Sequence, residues 1–233
     1  MKFLKNRLLK LLENQLLKGS LMMIAGTMIA NFGNYLYHLL MGRMLGPEGY
    51  GELESVISLV YLLFIAISTL VLVITKFTAQ LKGRKDRHGI AYLLAFFNQQ
   101  LLVWGGLAAL IFILISPWLK NFLHLPSILP IIIVSLMFFV SALSMVNRAV
   151  LQGLLRFKKL ASVHIFETGL KVIIATGLVF LGLKVDGAVL ALLLASLFGY
   201  LLARFFLRPV RKISPRKPAL RKMSRSPVTR ASS

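Results

Sequence analysis

The chain has 233 residues, of which 58% are hydrophobic and only 15% charged, with a mean hydropathy of +0.80; a soluble domain carries about 25% charged residues, so an ordinary water-facing globule is excluded. It has no cysteine, which excludes disulfides, thiolate metal centres and thiol catalysis. The net charge of +21 comes from 28 Lys/Arg against 7 Asp/Glu. These bases fall between apolar stretches, so they read as the positive-inside bias of a membrane protein, and no nucleic-acid partner is expected.

Residues 1–18 place Leu4, Leu8, Leu11, Leu12 and Leu16 at helical spacing, with most basic and amide residues on the other arc. This predicts an amphipathic helix lying in the membrane interface; the alternative is a plain extension of the first span. A signal peptide would need an unbroken apolar run and a small-residue cleavage site. Six stretches of about 20 mainly apolar residues then follow, each long enough to cross a bilayer. They fall at about 19–42, 52–75, 91–116, 127–150, 160–183 and 187–207.

Breakers separate them. Gly46-Pro47-Glu48-Gly49-Tyr50-Gly51 reads as a turn cluster and Lys82 to Gly89 as a charged loop. Pro117, Pro126 and Pro130 bracket the third connection, and Lys184-Val185-Asp186-Gly187 reads as a tight turn. Short connections predict antiparallel neighbours, hence an all-α six-helix transmembrane bundle. A barrel would need short strands of alternating polarity, and these runs are apolar on every face.

With alternate loops assigned to alternate sides, 24 Lys/Arg gather on one side and 3 on the other. The richer side is expected to be cytoplasmic, with both termini on it. Residues 208–233 hold nine Lys/Arg, four prolines and no acid, which predicts a disordered basic tail.

Polar side chains in lipid are expensive and usually face a bundle interior or a wet cavity. On the first span Asn31, Asn34, Tyr35 and His38 share a face; on the fourth, Ser141, Ser144, Arg148 and Gln152 do, with Asn147 beside them; on the fifth, His164, Glu167 and Lys171 do. The third carries Asn98-Gln99-Gln100. The functional reading is a hydrated, net cationic path for an anionic substrate, lined by Arg148 and Lys171.

Each group also has a bland reading. Glu167 and Lys171 have the i, i+4 order of a structural helix pair. Arg148 can snorkel to the interface, and the amides can serve interhelical packing. His164 and Glu167 supply too few ligands for a metal. No phosphate-cradling glycine loop, acidic pair or Ser/His/Asp set is readable, so neither an enzyme nor a cofactor is expected. Gly26 with Ala30, and Gly105-Gly106 with Ala109, are small-residue patches suited to close helix approach.

Four stretches carry a resemblance. They are Gly19-Ser20 after a basic amphipathic start; Gly42-Arg43-Met44-Leu45-Gly46-Pro47-Glu48-Gly49-Tyr50-Gly51; Leu151-Gln152-Gly153-Leu154-Leu155-Arg156-Phe157-Lys158-Lys159; and Asp186-Gly187-Ala188-Val189. Over roughly residues 15–207 the chain resembles the polysaccharide-biosynthesis (Wzx-like) flippases of the multidrug/oligosaccharidyl-lipid/polysaccharide (MOP) exporter superfamily.

The resemblance implies a bacterial plasma-membrane transporter that moves a polyprenyl-diphosphate-linked glycan between leaflets by alternating access. It also implies two lobes, and this chain offers one. A homodimer, a separate second lobe or a shortened product are the ways to reconcile the two. Other readings are a multidrug or small-solute exporter of the same superfamily, or a non-transporting scaffold for envelope polysaccharide assembly.

Overall fold

The computed structural model describes residues 2–216, with side chains described from Gly19 onward except those of Leu62, Leu63 and Ala66. The expected basic tail falls largely at 217–233, outside the described residues. Among the described residues there is no strand. The elements are α1 (Lys2–Gly83), α2 (Arg87–Leu114), α3 (Ser116–Phe122), α4 (Leu129–Gly153), α5 (Phe157–Leu178), a wide π-type turn (Val179–Leu183), α6 (Lys184–Phe206) and α7 (Arg208–Arg211).

Helices α2 and α4, and the continuous stretch Phe157–Phe206, are long and apolar enough to cross a membrane. The last is 50 residues long and folds back at Gly182, so it supplies two spans, α5 and α6. Two further charge-free runs lie on the two limbs of α1, one on either side of a kink at Gly46. The six-span bundle is thus built from fewer continuous helices than the punctuation of the sequence suggests.

Three local features are sharper than the sequence shows. The cluster at 46–51 turns the chain without a loop: only Gly46 leaves helical geometry, at φ 70° and ψ 178°, and Pro47 resumes the helix. A Pro in the first turn of a helix loses nothing, because that N–H has no intrahelical partner. The reversal expected at Lys184-Val185-Asp186-Gly187 begins two residues earlier: Gly182 takes φ 91° and Lys184 takes φ 45° and ψ −132°, after which Val185, Asp186 and Gly187 continue into α6. Residues 2–18 run into the first span as one continuous helix, α1.

The other reversals follow one pattern. The amides of Asp86, Leu125 and Arg156 bond back to Leu81, Lys120 and Leu151. Just before them, Lys85, His124 and Leu155 adopt positive φ. This is the hydrogen-bonded left-handed cap that satisfies the last carbonyls of a helix.

Two apolar cores stack along the bundle. One joins Ile74, Leu81, Leu94, Val146 and Leu207 near the α1–α2 and α4–α5 reversals. The other joins Tyr37, Met41, Leu53, Ile131 and Val189 near the kink at Gly46. Gly19, Gly26 and Gly33, seven residues apart, let the first limb of α1 lie directly on Phe157, Ala161 and Thr168 of α5. The outer surface is apolar, with Phe180 84%, Leu72 72% and Ile173 71% exposed. So broad an apolar surface suits lipid and would be a liability in water.

Candidate functional site

Between the two cores, at mid-height, the bundle holds a partly open cavity of about 260 Å³. Helix phase explains its polar lining. On α5 the spacing of three and four puts His164, Glu167, Thr168 and Lys171 on one arc, and α4 brings Ser141 and Arg148 to meet it. Asn34 reaches in from α1 and Ser196 from α6.

The charged groups are tied down. Arg148 donates through Nη2 to the Glu167 carboxylate and through Nε to Ser144 Oγ at 3.1 Å. Lys171 donates to Asn34 Oδ1, and its ammonium sits 4.5 Å from the centre of the Tyr37 ring. The Arg148–Glu167 pair leans on Gly199 of α6: a Cβ there would stand 2.8 Å from Glu167 Oε2 and 3.4 Å from Arg148 Nη2. The cavity thus carries two bases against one acid. Its excess positive charge sits where lipid on the outside keeps the dielectric low, so the field across it is strong.

Of the ten residues singled out from sequence, Asn34, Arg148, His164, Glu167 and Lys171 line this cavity. The other five do not. Asn31, Tyr35 and Gln152 are exposed at the outer surface. Asn147 is fully buried, donating to Leu143 O at 2.8 Å while its Oδ1 finds no partner. His38 joins a separate cluster near the kink, with Nδ1 at 3.0 Å from the Tyr50 hydroxyl and 2.8 Å from Glu54.

The amides of α2 also stay away: Asn98 bonds to Leu94 O, and Gln100 accepts from Trp104 at 3.1 Å. Conversely, Thr168, Ser196 and Gly199 belong to the site without having been singled out. Thr168 was findable as the residue one turn beyond His164. Ser196 and Gly199 carried no charge pattern, only a run of small residues on α6. Among the described residues no three His, Asp or Glu side chains gather as a metal would require.

A family model described as polysaccharide biosynthesis protein matches residues 40–225, most of the chain. The chain belongs to that family. The match begins within the last turns before the Gly46 kink, later than the resemblance read from sequence, and runs past α7.

Solved structures give the same fold for this member of the polysaccharide biosynthesis protein family. A MOP superfamily transporter from Pyrococcus furiosus, described as having a binding pocket of reversed polarity that suggests a different function, aligns with a TM-score of 0.70 at 18% identity over 92% of this chain and 48% of its own. A MATE protein in complex with MaD3S aligns at 0.70 and 19%, over 92% and 49%. A multidrug resistance MATE transporter in the outward-facing conformation aligns at 0.68 and 19%, over 92% and 49%. The chain therefore spans about half the length of these structures and has the fold of one lobe of a MOP-type transporter. No curated protein matches it.

Proposed function

We propose that the protein is one lobe of a transporter that carries a lipid-linked oligosaccharide across a bacterial plasma membrane, with the mid-bundle cavity as part of the substrate path. One observation carries this reading: the cavity holds Arg148 and Lys171 against the single acid Glu167, deep within an apolar bundle. A diphosphate crossing such a region needs fixed positive charge to replace its water. Membership of a polysaccharide biosynthesis family supports the glycan side of the reading.

The rest of the assembly follows from this reading. The basic end of the bundle faces the cytoplasm, where lysine and arginine accumulate. A second lobe completes the path, because one six-helix lobe offers only one wall of an alternating-access cavity. No nucleotide drives the step; the glycan lipid is moved without its bonds changing, so the protein is not an enzyme.

The test is a complementation assay in a strain lacking the gene. Loss of the protein should accumulate lipid-linked sugar in the inner leaflet, and the double variant Arg148→Ala/Lys171→Ala should accumulate it to the same degree while still reaching the membrane. Full activity of that variant removes the cationic path. Unchanged lipid-linked pools on deletion remove the transport reading and leave a scaffold role in polysaccharide assembly.

A further inference from the structure

A second cavity, of about 560 Å³, opens at the basic end of the bundle, and the proposed transport does not use it. Its volume lies within the range of ordinary small-molecule sites, about 300–1,000 Å³. Lys82, Lys85, Arg87 and Arg156 line it, and no acidic side chain among the described residues does. The cavity at the opposite end, beside the Gly46 kink, is the reverse: Glu48, Glu52 and Asp186 line it against a single lysine, Lys184. Loose surface charge from the positive-inside bias would not by itself enclose four cations around one space.

The cations are held there by the backbone. Lys82 donates to Leu154 O at 2.7 Å, and Arg156 donates to Phe206 O at 3.3 Å. Both bonds fasten a cation to a helix-end carbonyl and leave its charge uncompensated. Burial pushes the Lys82 ammonium below its usual value, and neighbouring Arg156 pushes it the same way. Two like charges with no acid between them cost free energy that a bound anion would recover.

The far wall is apolar, built from Ile90, Val210 and Ile213. Helix α7 supplies Val210, which packs into the core at 7% exposure. The site therefore matches a molecule that is anionic at one end and greasy at the other. It lies where α1, α4 and α6 end and α2 begins, the level at which head groups meet acyl chains.

We propose that this cavity binds the phosphate head group of an anionic membrane lipid. The site pins α7 and the α1–α2 reversal to the bundle end, and it stands whether or not the chain transports a glycan. Cationic pockets between helix ends on the basic side of membrane proteins recognise such head groups.

The full chain, purified in neutral detergent, is titrated with short-chain phosphatidylglycerol, phosphatidylcholine and inorganic phosphate while thermal unfolding is followed. Saturable stabilisation by phosphatidylglycerol alone is expected. The variant Lys85→Asn/Arg87→Gln should weaken it on the order of tenfold or more; Asn is chosen because Lys85 stands at φ 57°. The variant Lys158→Gln/Lys159→Gln removes the same charge outside the cavity and should leave the affinity unchanged. Should the first variant not fold, Arg87→Gln alone gives the same comparison.

Equal losses in the two double variants, or no loss in either, would overturn the site. So would equal stabilisation by phosphatidylcholine. Stabilisation by inorganic phosphate at the same concentration would overturn the lipid assignment in favour of a free-anion site.

Discussion

The Arg148–Glu167 pair decides much at the scale of single residues. Two charges held in a low-dielectric bundle repay their desolvation only together, so removing one is far costlier than removing both. Glu167→Gln should cost about 3–5 kcal/mol of stability, read as a fall in Tm in detergent, whereas Arg148→Met/Glu167→Leu should recover most of it. A double variant no more stable than the single one would mean that the pair does not act as a unit. Gly199→Ala tests the same place from α6. Its methyl group would meet Glu167 Oε2 at 2.8 Å, so the carboxylate must move; a loss of about 1–3 kcal/mol is expected.

Lys82 gives a pH signature at the same scale. Its folded-state pKa lies below its usual value, so in the window just under 10.5 the unfolded chain binds more protons. Stability should therefore rise as pH climbs through that window, and Lys82→Gln should flatten the rise. A rise of the same size in Lys82→Gln would assign it to another group.

At the scale of elements, two glycines shape the path of the chain. Gly46 stands at φ 70° and ψ 178°, a region that side chains other than glycine's scarcely enter. Nothing lies within 4 Å of a Cβ placed there, so the penalty of Gly46→Ala is backbone alone, about 1–3 kcal/mol. Differential scanning of that variant against Gly51→Ala, which has helical neighbours and equal room, isolates it. A similar effect at both positions would mean that the kink imposes no backbone demand.

The α1–α5 seam is the converse case. Gly26 is needed for what lies opposite, since its Cβ would stand 2.5 Å from that of Ala161. The sequence marked Gly26 and Ala30 as a small patch, and Ala30 is buried beside it, but nothing in the sequence named α5 as the partner.

At the scale of the whole molecule, the testable quantity is topology. The native chain has no cysteine, so single cysteines can be introduced cleanly. Probes at Pro47 and Lys85 lie at opposite ends of the second limb of α1, and a membrane-impermeant reagent should label the first in intact cells and the second only after the membrane is opened. Labelling of both from one face would remove the six-span arrangement and the single-lobe transporter with it. The chain covers about half of the matched structures, and crosslinking along the first limb of α1 would report whether a second copy packs there.

The sequence by itself determined what depends on composition and local pattern. Lipid is the solvent because too few charges exist to cover a globule, and the spans are helical because each backbone must satisfy its own hydrogen bonds in hydrocarbon. Even the convergence of Arg148, Glu167 and Lys171 was half legible, as stripes on two helices. Only the tertiary structure decided which edge of a stripe faces inward. Asn31, Asn34, Tyr35 and His38 span an arc of roughly 100°, and the bundle boundary passes through it: Asn34 meets Lys171, whereas Tyr35 is 61% exposed. Helical phase fixes the relative directions of side chains on one rod; the absolute direction is set by where the neighbouring rods pack, and that information is held in their sequences jointly.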